Sequence, residues 1–567
     1  MIEKRWVMRA VDDEGVKTLA ESMELSPITA KVLWGRGVEN SIQARQWLVG
    51  SDYAGHDPFL LPDMERCVDR LRKAILQGER VCFYGDYDVD GISATSLHQS
   101  FFRKHGAIAE VYIPHRQDEG YGLNEGAIRK LADRQVAVIV TADCGSTSHR
   151  EIALAHRLGM DVIVTDHHQI QEKVPEPFAF LNPYRPDSRY PFQGLCSGGL
   201  AYKVAEAFSM KFGRDEISPR EGLDLVALSS VADVVPLVDE NRVYVQEGLR
   251  LLTNGQRCGI RALKEVLGLT GDCSASTIGF RFAPVINAAG RLAHADLGVR
   301  LLTSQSPTEA LQLAKQLEQM NRRRREIEQE IFDEVTAGLG EEEDLPVIVV
   351  GKRGWHIGVV GIVASRLVER YHRPAVVVAF DENGVGKGSA RSVPGYNVYD
   401  ALLQCQEMLV GFGGHPAAAG VTVTAEAFSR FREKLSAVTT KTLSEEARSP
   451  VLEIDADVHL ADLSPRLLKE FDLLTPFGMG NPEPTLSATG VRVLEKKIVG
   501  ENHLKLVVRQ NKSVPIECIG FRMGEWLDKV DGGFQPYDVA FMPEINRWKG
   551  FDRIQLRLRD LRISQRC

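Results

Sequence analysis

The chain has no run of about 18 apolar residues, the length a membrane-spanning helix needs. Its opening, Met1-Ile2-Glu3-Lys4-Arg5-Trp6, carries charge where a signal peptide would be apolar. No Cys-x-x-Cys pair occurs, the nine cysteines are odd in number, and Cys82 and Cys518 sit inside apolar runs. These absences exclude a disulfide framework and point to reduced, buried thiols in a cytoplasmic protein with no membrane association. Internal repeats and low-complexity tracts are also missing. Positive charge is in deficit: 69 Lys and Arg against 77 Asp and Glu leave a net −8. That argues against a non-specific nucleic-acid coat protein but leaves room for a basic groove beside an acidic metal centre. With 44% hydrophobic and 26% charged residues over 567 positions, the chain reads as roughly three or four globular domains of ~150 residues each.

What is present centres on Val81-Cys82-Phe83-Tyr84-Gly85-Asp86-Tyr87-Asp88-Val89-Asp90-Gly91. An apolar run reads as a buried strand, and alternate residues of an extended chain share a face, which crowds Asp86, Asp88 and Asp90 together. Such a cluster is costly without a cation, and oxygen ligands suit magnesium, calcium or manganese. A helix-loop-helix calcium site is excluded because Leu97 occupies the twelfth position, where that loop carries glutamate. Two more strand-like runs end in acids, Val138 to Asp143 and Asp161 to Asp166-His167-His168. Continuous β-branched runs separated by helical patterns predict a parallel sheet covered on both faces. Residues at the carboxyl ends of its strands then meet in one crevice. Asp233, in Ser229-Ser230-Val231-Ala232-Asp233-Val234-Val235-Pro236, is a fourth contributor.

The ordered set GDYDVDG, TADCG, Asp-His-His and SSVADVVPL resembles the DHH phosphoesterase superfamily. Within it, the resemblance is to the branch of single-strand-specific DNA exonucleases, and it extends over nearly the whole chain. It implies two divalent ions, manganese or magnesium, with Asp143 bridging them. Asp90, His167 and Asp233 complete one ion, and Asp86 and Asp88 the other. Asp166 orients a histidine, and His168 touches the scissile phosphate or protonates the leaving group. The same resemblance makes Arg116 a phosphate contact and gives Tyr121 a base to stack on. Asn287 and Arg291, in Phe282-Ala283-Pro284-Val285-Ile286-Asn287-Ala288-Ala289-Gly290-Arg291-Leu292, adjoin the substrate. Relatives usually carry Met at the place of Leu292 and Gly-Thr at Ser229-Ser230; neither change is expected to touch a candidate ligand.

Helical apolar spacing from about Pro307 to Ala337 predicts a long connecting helix. Its run Asn321-Arg322-Arg323-Arg324-Arg325 reads as a solvated face, or as cations near the path of the strand. Beyond it, strand-then-helix patterns lead to Gly386-Lys387-Gly388-Ser389-Ala390-Arg391 and Gly411-Phe412-Gly413-Gly414-His415. Glycine-rich turns leave backbone N–H groups free for phosphate oxygens. By resemblance this is the DHH-associated domain, with Ser389, Arg391, Gly413, Gly414 and His415 binding substrate. Short strands after position 450 suit an OB-type β-barrel. From position 491 onward, 15 Lys and Arg face 10 Asp and Glu, a local excess that suits a polyanion.

The expected architecture is therefore α/β. A parallel-sheet DHH catalytic domain with an N-terminal extension covers residues 1–305, and a connecting helix covers 306–340. A smaller α/β DHH-associated domain spans 341–447, and an OB-type nucleic-acid-binding barrel spans 448–567. The implied activity is 5′→3′ hydrolysis of single-stranded DNA in repair and recombination. The chain would act as a monomer, with single-strand-binding protein and a RecQ-type helicase as partners. Two alternatives stay open: a DHH phosphodiesterase on short oligonucleotides or cyclic dinucleotides, and a non-catalytic replication scaffold.

Overall fold

The structure is a computed structural model that describes residues 4–49, 55–116, 118–214, 216–339, 345–533, 535–548 and 551–564. Its catalytic sheet has five parallel strands, in the order Ile108–Tyr112, Arg80–Gly85, Val136–Ala142, Asp161–Thr165, Ala179–Leu181. Two-residue alternation sends each strand's apolar residues into two cores. Val81, Phe83, Val138, Val140 and Ile163 pack on one face, while Cys82, Tyr84, Ile139, Val162 and Val164 pack on the other. Both faces are covered, so the strands read as unbroken apolar runs. Ser197–Phe212 and Leu223–Ala232 join Val89–Lys104 on the larger face.

The expected connecting helix is Pro307–Gly338, 32 residues capped at Ser306 and roughly 48 Å long. Its first half, through Ala310, Leu313, Ala314 and Leu317, lies in the catalytic core. Its second half, through Ile331, Phe332 and Val335, lies in the core of the next domain. One rigid element thus belongs to both. The arginine run on it is paired rather than free: Arg322 and Arg325 reach Glu318, Arg323 reaches Glu326, and buried Arg324 reaches Glu328 at 2.7 Å.

The second domain has a five-stranded sheet in the order Gly411–His415, Ala418–Thr424, Val385–Arg391, Ala375–Phe380, Ile348–Arg353. Strand Ala375–Phe380 divides its side chains between two cores in the same way, Val376 and Val378 on one face and Val377 and Ala379 on the other. The C-terminal strands close a barrel, because Leu486–Val499 pairs with both His503–Arg509 and Pro536–Trp548.

The N-terminal segment departs from expectation. The segment placed as an N-terminal extension of the 1–305 domain packs elsewhere: Val16, Leu19, Ala30, Leu33 and Ala44 share a core with Leu486, Leu506, Val539 and Leu556 of the barrel. Strand Arg5–Met8 pairs in parallel with Val451–Ile454. Nothing local to these helices specified the partner some 400 residues away. Arg242 fastens the barrel side to the catalytic domain by donating to the carbonyls of Trp47, Leu473 and Leu474 at 2.9–3.0 Å. No helix among the described residues is long and apolar enough to cross a membrane.

Lys203 and Glu240 form a fully buried ion pair at 2.9 Å, and the Lys203 ammonium also donates to the His56 carbonyl. Lys203→Met would leave Glu240 buried and uncompensated. We expect a loss of about 3–5 kcal/mol, read as a lower urea midpoint for the catalytic domain, with partial recovery in Lys203→Met/Glu240→Gln.

Candidate metal centre

Three carboxylates each stand one residue beyond a strand of the parallel sheet. Asp86 follows Arg80–Gly85, Asp143 follows Val136–Ala142, and Asp166 follows Asp161–Thr165. Their backbone N–H groups continue the strand pairing, donating to the carbonyls of Ala142, Thr165 and Leu181 at 3.2 Å. The sheet itself therefore sets the three acids side by side. Asp143 takes a left-handed φ of 68°, which turns the chain sharply at this edge. Asp88 caps helix Val89–Lys104, accepting from the N–H of Asp90 at 2.9 Å and of Gly91 at 3.2 Å. Asp233 ends helix Leu223–Ala232.

The separated pieces of chain converge. His167 Nε2 lies 3.1 Å from Asp143, 3.4 Å from Asp90 and 3.6 Å from Asp233. Three sets of candidate donor atoms fall within 4.8 Å of one another: Asp90, His167 and Asp233; Asp86, Asp88 and Asp143; Asp143, His167 and His168. Asp143 belongs to the second and third sets, and the first reaches it through His167.

Burial and mutual repulsion dominate the electrostatics. Burial, then Asp88, pushes the Asp86 carboxyl far above its ordinary value. Asp88 rises through burial and Asp90, and Asp143 through burial and four neighbouring aspartates. Burial, with Asp90 and Asp88 behind it, pushes Asp233 up to about 8. Asp86 Oδ1 is buried with no hydrogen-bond partner. Oxygens and imidazole nitrogen without thiolate, one of them orphaned, fit hard divalent cations such as manganese or magnesium. Burial also lowers the His167 pKa, keeping its ring neutral and able to act as a ligand.

Asp166 plays a different part. Burial alone would raise it, but hydrogen bonds from His168 at 2.8 Å and from the Ser146 N–H at 2.9 Å hold it well below the usual carboxylate range. In return it raises His168 to about 9 against the effect of burial. The histidine that Asp166 orients is thus His168. Tyr121 donates its hydroxyl to the Asp143 carbonyl at 2.7 Å, so its polar end is fixed while half of the residue stays exposed.

Sequence reasoning missed the groups that hold Asp90. Its carboxylate accepts from the N–H of Ser197 and of Gly198, both at 2.9 Å, at the start of helix Ser197–Phe212. A helix N-terminus favours an anion there, and the run Cys196-Ser197-Gly198-Gly199 before an apolar helix was its available signal. The Ser197 hydroxyl also reaches Asp143 at 3.1 Å. Ser229 was expected to touch no candidate ligand, yet its hydroxyl hydrogen-bonds Asp90.

The candidate substrate residues divide. Arg116, Arg291 and Arg391 form a cationic group beside the acids. Burial pushes Arg291 down to about 10, with Arg116 and Arg324 adding to the shift, and Arg391 falls through burial and then Arg116. Arg116 stacks 4.6 Å over the Tyr87 ring, between Asp86 and Asp88. Arg391 is braced on Ser389 Oγ at 2.6 Å. Asn287 uses its carbonyl oxygen on the Val89 N–H at 3.0 Å, tethering the acidic turn. The small residues around it serve packing: a Cβ on Gly290 would stand 2.5 Å from the Tyr87 carbonyl. Gly413, Gly414 and His415 lie in an exposed edge strand rather than a turn, so part of their backbone is committed to strand pairing. Register aligns His415, Ala418 and Arg391 across three strands, which puts His415 roughly 10 Å from Arg391. A Cβ on Gly413 would meet nothing within 4 Å, so its surface is open to a close-approaching ligand.

Comparison with known proteins agrees with this layout. The DHH family N-terminal domain matches residues 80–229, the DHHA1 domain 344–441 and the RecJ OB domain 454–560. Fold and site thus define a DHH-class protein. The single-stranded-DNA-specific exonuclease RecJ of Bacillus subtilis is 38% identical over 99% of this chain and 71% of its own. That of Salmonella typhimurium is 33% identical over 99% of this chain and 100% of its own. A crystal structure of Thermus thermophilus RecJ in complex with Mn2+ superposes with a TM-score of 0.85 at 28% identity, covering 99% of this chain and 80% of that one. Its Mg2+ complex gives 0.79 at 26% identity, covering 99% and 79%. The chain belongs to the RecJ family.

Because Asp86, Asp143 and Asp233 have folded-state pKa values above their unfolded ones, the metal-free acidic cluster binds more protons at these positions than the unfolded chain does. It loses stability as pH rises through the carboxylate range, up to about 8 at Asp233. In EDTA at about pH 8, Asp86→Asn is expected to raise the catalytic-domain Tm by roughly 2–4 °C. Calorimetry showing an unchanged or lower Tm would count against the repulsion.

Proposed function

We propose that the protein is a metal-dependent exonuclease that hydrolyses phosphodiester bonds of single-stranded DNA in the 5′→3′ direction. The observation that carries this reading is the juxtaposition of two donor sets, Asp86 with Asp88 and Asp143, and Asp90 with His167 and Asp233, linked where His167 Nε2 lies 3.1 Å from Asp143, with the buried arginines Arg291 and Arg391 beside them. Asp90, His167 and Asp233 would hold one divalent ion, Asp86 and Asp88 the other, with Asp143 between them. Such a pair of ions activates water on one side of a phosphodiester and stabilises the leaving oxygen on the other. The protein's own groups do the rest. Arg116 and Arg391, with Ser389, bind the terminal phosphate by charge and fork geometry, while Gly413, Gly414 and His415 approach it from the edge strand two strands away. Arg291 and the Asn287 amide lie along the adjoining backbone. His168, with Nδ1 engaged by Asp166, keeps Nε2 for a phosphate or leaving oxygen, and the Tyr121 ring borders the same space.

Strand polarity and a role in repair and recombination are supported by the family alone. The division at 305/306, 340/341 and 447/448, amended by the N-terminal helices that join the barrel, completes the reading. So do a cytoplasmic location, a monomeric state, and single-strand-binding protein and a RecQ-type helicase as partners. The closed barrel, with its excess of cations after position 491, favours long strands over dinucleotides.

Two measurements test it. In a Mn2+ and Mg2+ titration on end-labelled strands, a blocked 5′ end should prevent digestion and a blocked 3′ end should not; the reverse pattern rejects the polarity. Asp143→Asn should cut the rate by about 10³-fold or more without loss of fold by circular dichroism, and retention of full activity would reject the mechanism.

A further inference from the structure

Immediately before helix Ala283–Leu292, residues Ile278–Phe282 make one π-helical turn, closed by the Ala283 N–H donating to the Ile278 carbonyl five residues back. Pro284 explains the widening. It has no N–H for the Phe280 carbonyl four residues earlier, and its ring crowds that carbonyl. The turn is firmly anchored, since Ile278 and Phe282 are fully buried and Arg281 donates to the Leu267 carbonyl at 2.8 Å. Phe280 between them points outward. At 79% it is the most exposed large apolar side chain among the described residues. A phenyl ring fixed in water on a rigid turn contributes nothing to a core, and single π-turns of this kind concentrate at functional sites.

Phe280 borders a cavity of about 430 Å³ whose walls include Val231 and Val234 on either side of Asp233, Asn287, Arg291, Arg324 and Phe477. Asn287 holds the acidic turn at Val89, and Phe477 belongs to the segment leading into the barrel. The cavity therefore runs between the metal centre and the barrel, with guanidinium groups on one wall. Two other aromatic rings are already covered: Arg36 lies 5.9 Å over Phe477 and Arg116 lies over Tyr87.

We propose that Phe280 is a base-stacking residue that positions the single strand between the barrel and the metal centre. The inference rests on the exonuclease reading above. The anchored turn fixes where the ring is presented, and every base presents a π face, so the contact is tolerant of sequence. Arg291 on the same wall meets the phosphates that alternate with the bases.

The test compares Phe280→Leu with Phe280→Tyr in the full-length protein. With Mn2+ and a long single strand, Phe280→Leu should raise KM about 5- to 100-fold, leave kcat within about twofold, and be rescued by Phe280→Tyr. In EDTA, 2-aminopurine walked along the strand should be quenched at one or two positions by the wild type and by Phe280→Tyr, but not by Phe280→Leu. Equal KM and equal quenching in wild type and Phe280→Leu would overturn the proposal while leaving the exonuclease reading intact. A wild-type protein that neither binds nor degrades single strands would remove both.

Discussion

Everything in the catalytic half of this protein answers to one electrostatic burden, the gathering of buried carboxylates at the carboxyl edge of a parallel sheet. Strand register puts Asp86 and Asp143 next to each other, and two helix ends bring Asp88 and Asp233 against them. The fold relieves part of the repulsion. Backbone N–H groups at two helix N-termini take up Asp88 and Asp90, and hydroxyls of Ser197 and Ser229 add to them. Asp86 keeps an oxygen with no partner inside the protein. The remaining charge is therefore balanced by something the chain does not encode, and divalent cations satisfy it.

Next to this acidic edge stand arginines that crowd one another. Their proximity is an imbalance of the opposite sign, relieved by an anion. A phosphodiester on divalent ions answers both demands at once, which is why the two clusters have to keep a fixed separation. The helix Pro307–Gly338 supplies it, because its two halves are buried in different hydrophobic cores. Arg291 strengthens the link by donating to the Gly358 carbonyl of the second domain at 3.1 Å. Geometry between the two domains is thus set by packing rather than by a flexible linker.

Much of this was legible in the sequence, for reasons that differ by element. Strands of the parallel sheet are buried on both faces and so appear as uninterrupted β-branched runs ending in acid. Pro307–Gly338 showed itself by period. The residues that converge on the candidate centre were picked out because acids at strand ends sit beside strong local patterns. Ser197 and Ser229 escaped because a hydroxyl that braces a carboxylate looks like any small residue in a helix. The glycine-rich segments misled in conformation: Gly388 and Gly414 are small because a Cβ would collide with the neighbouring strands Ala375–Phe380 and Ala418–Thr424, a constraint between strands that a single segment cannot display. The partner of the N-terminal helices was hidden for a similar reason, since amphipathic periodicity names a buried face but not what buries it.

That last pairing has a consequence for how the molecule is made. Helices near residues 13–48 are synthesised before the barrel that completes their core, which follows some 400 residues later, on the order of 20–80 s at ordinary elongation rates. During that interval their apolar faces have no native mate, whereas the parallel sheet can close around neighbours already synthesised. Until the barrel is made, it is these apolar faces rather than the metal centre that stand exposed to aggregation.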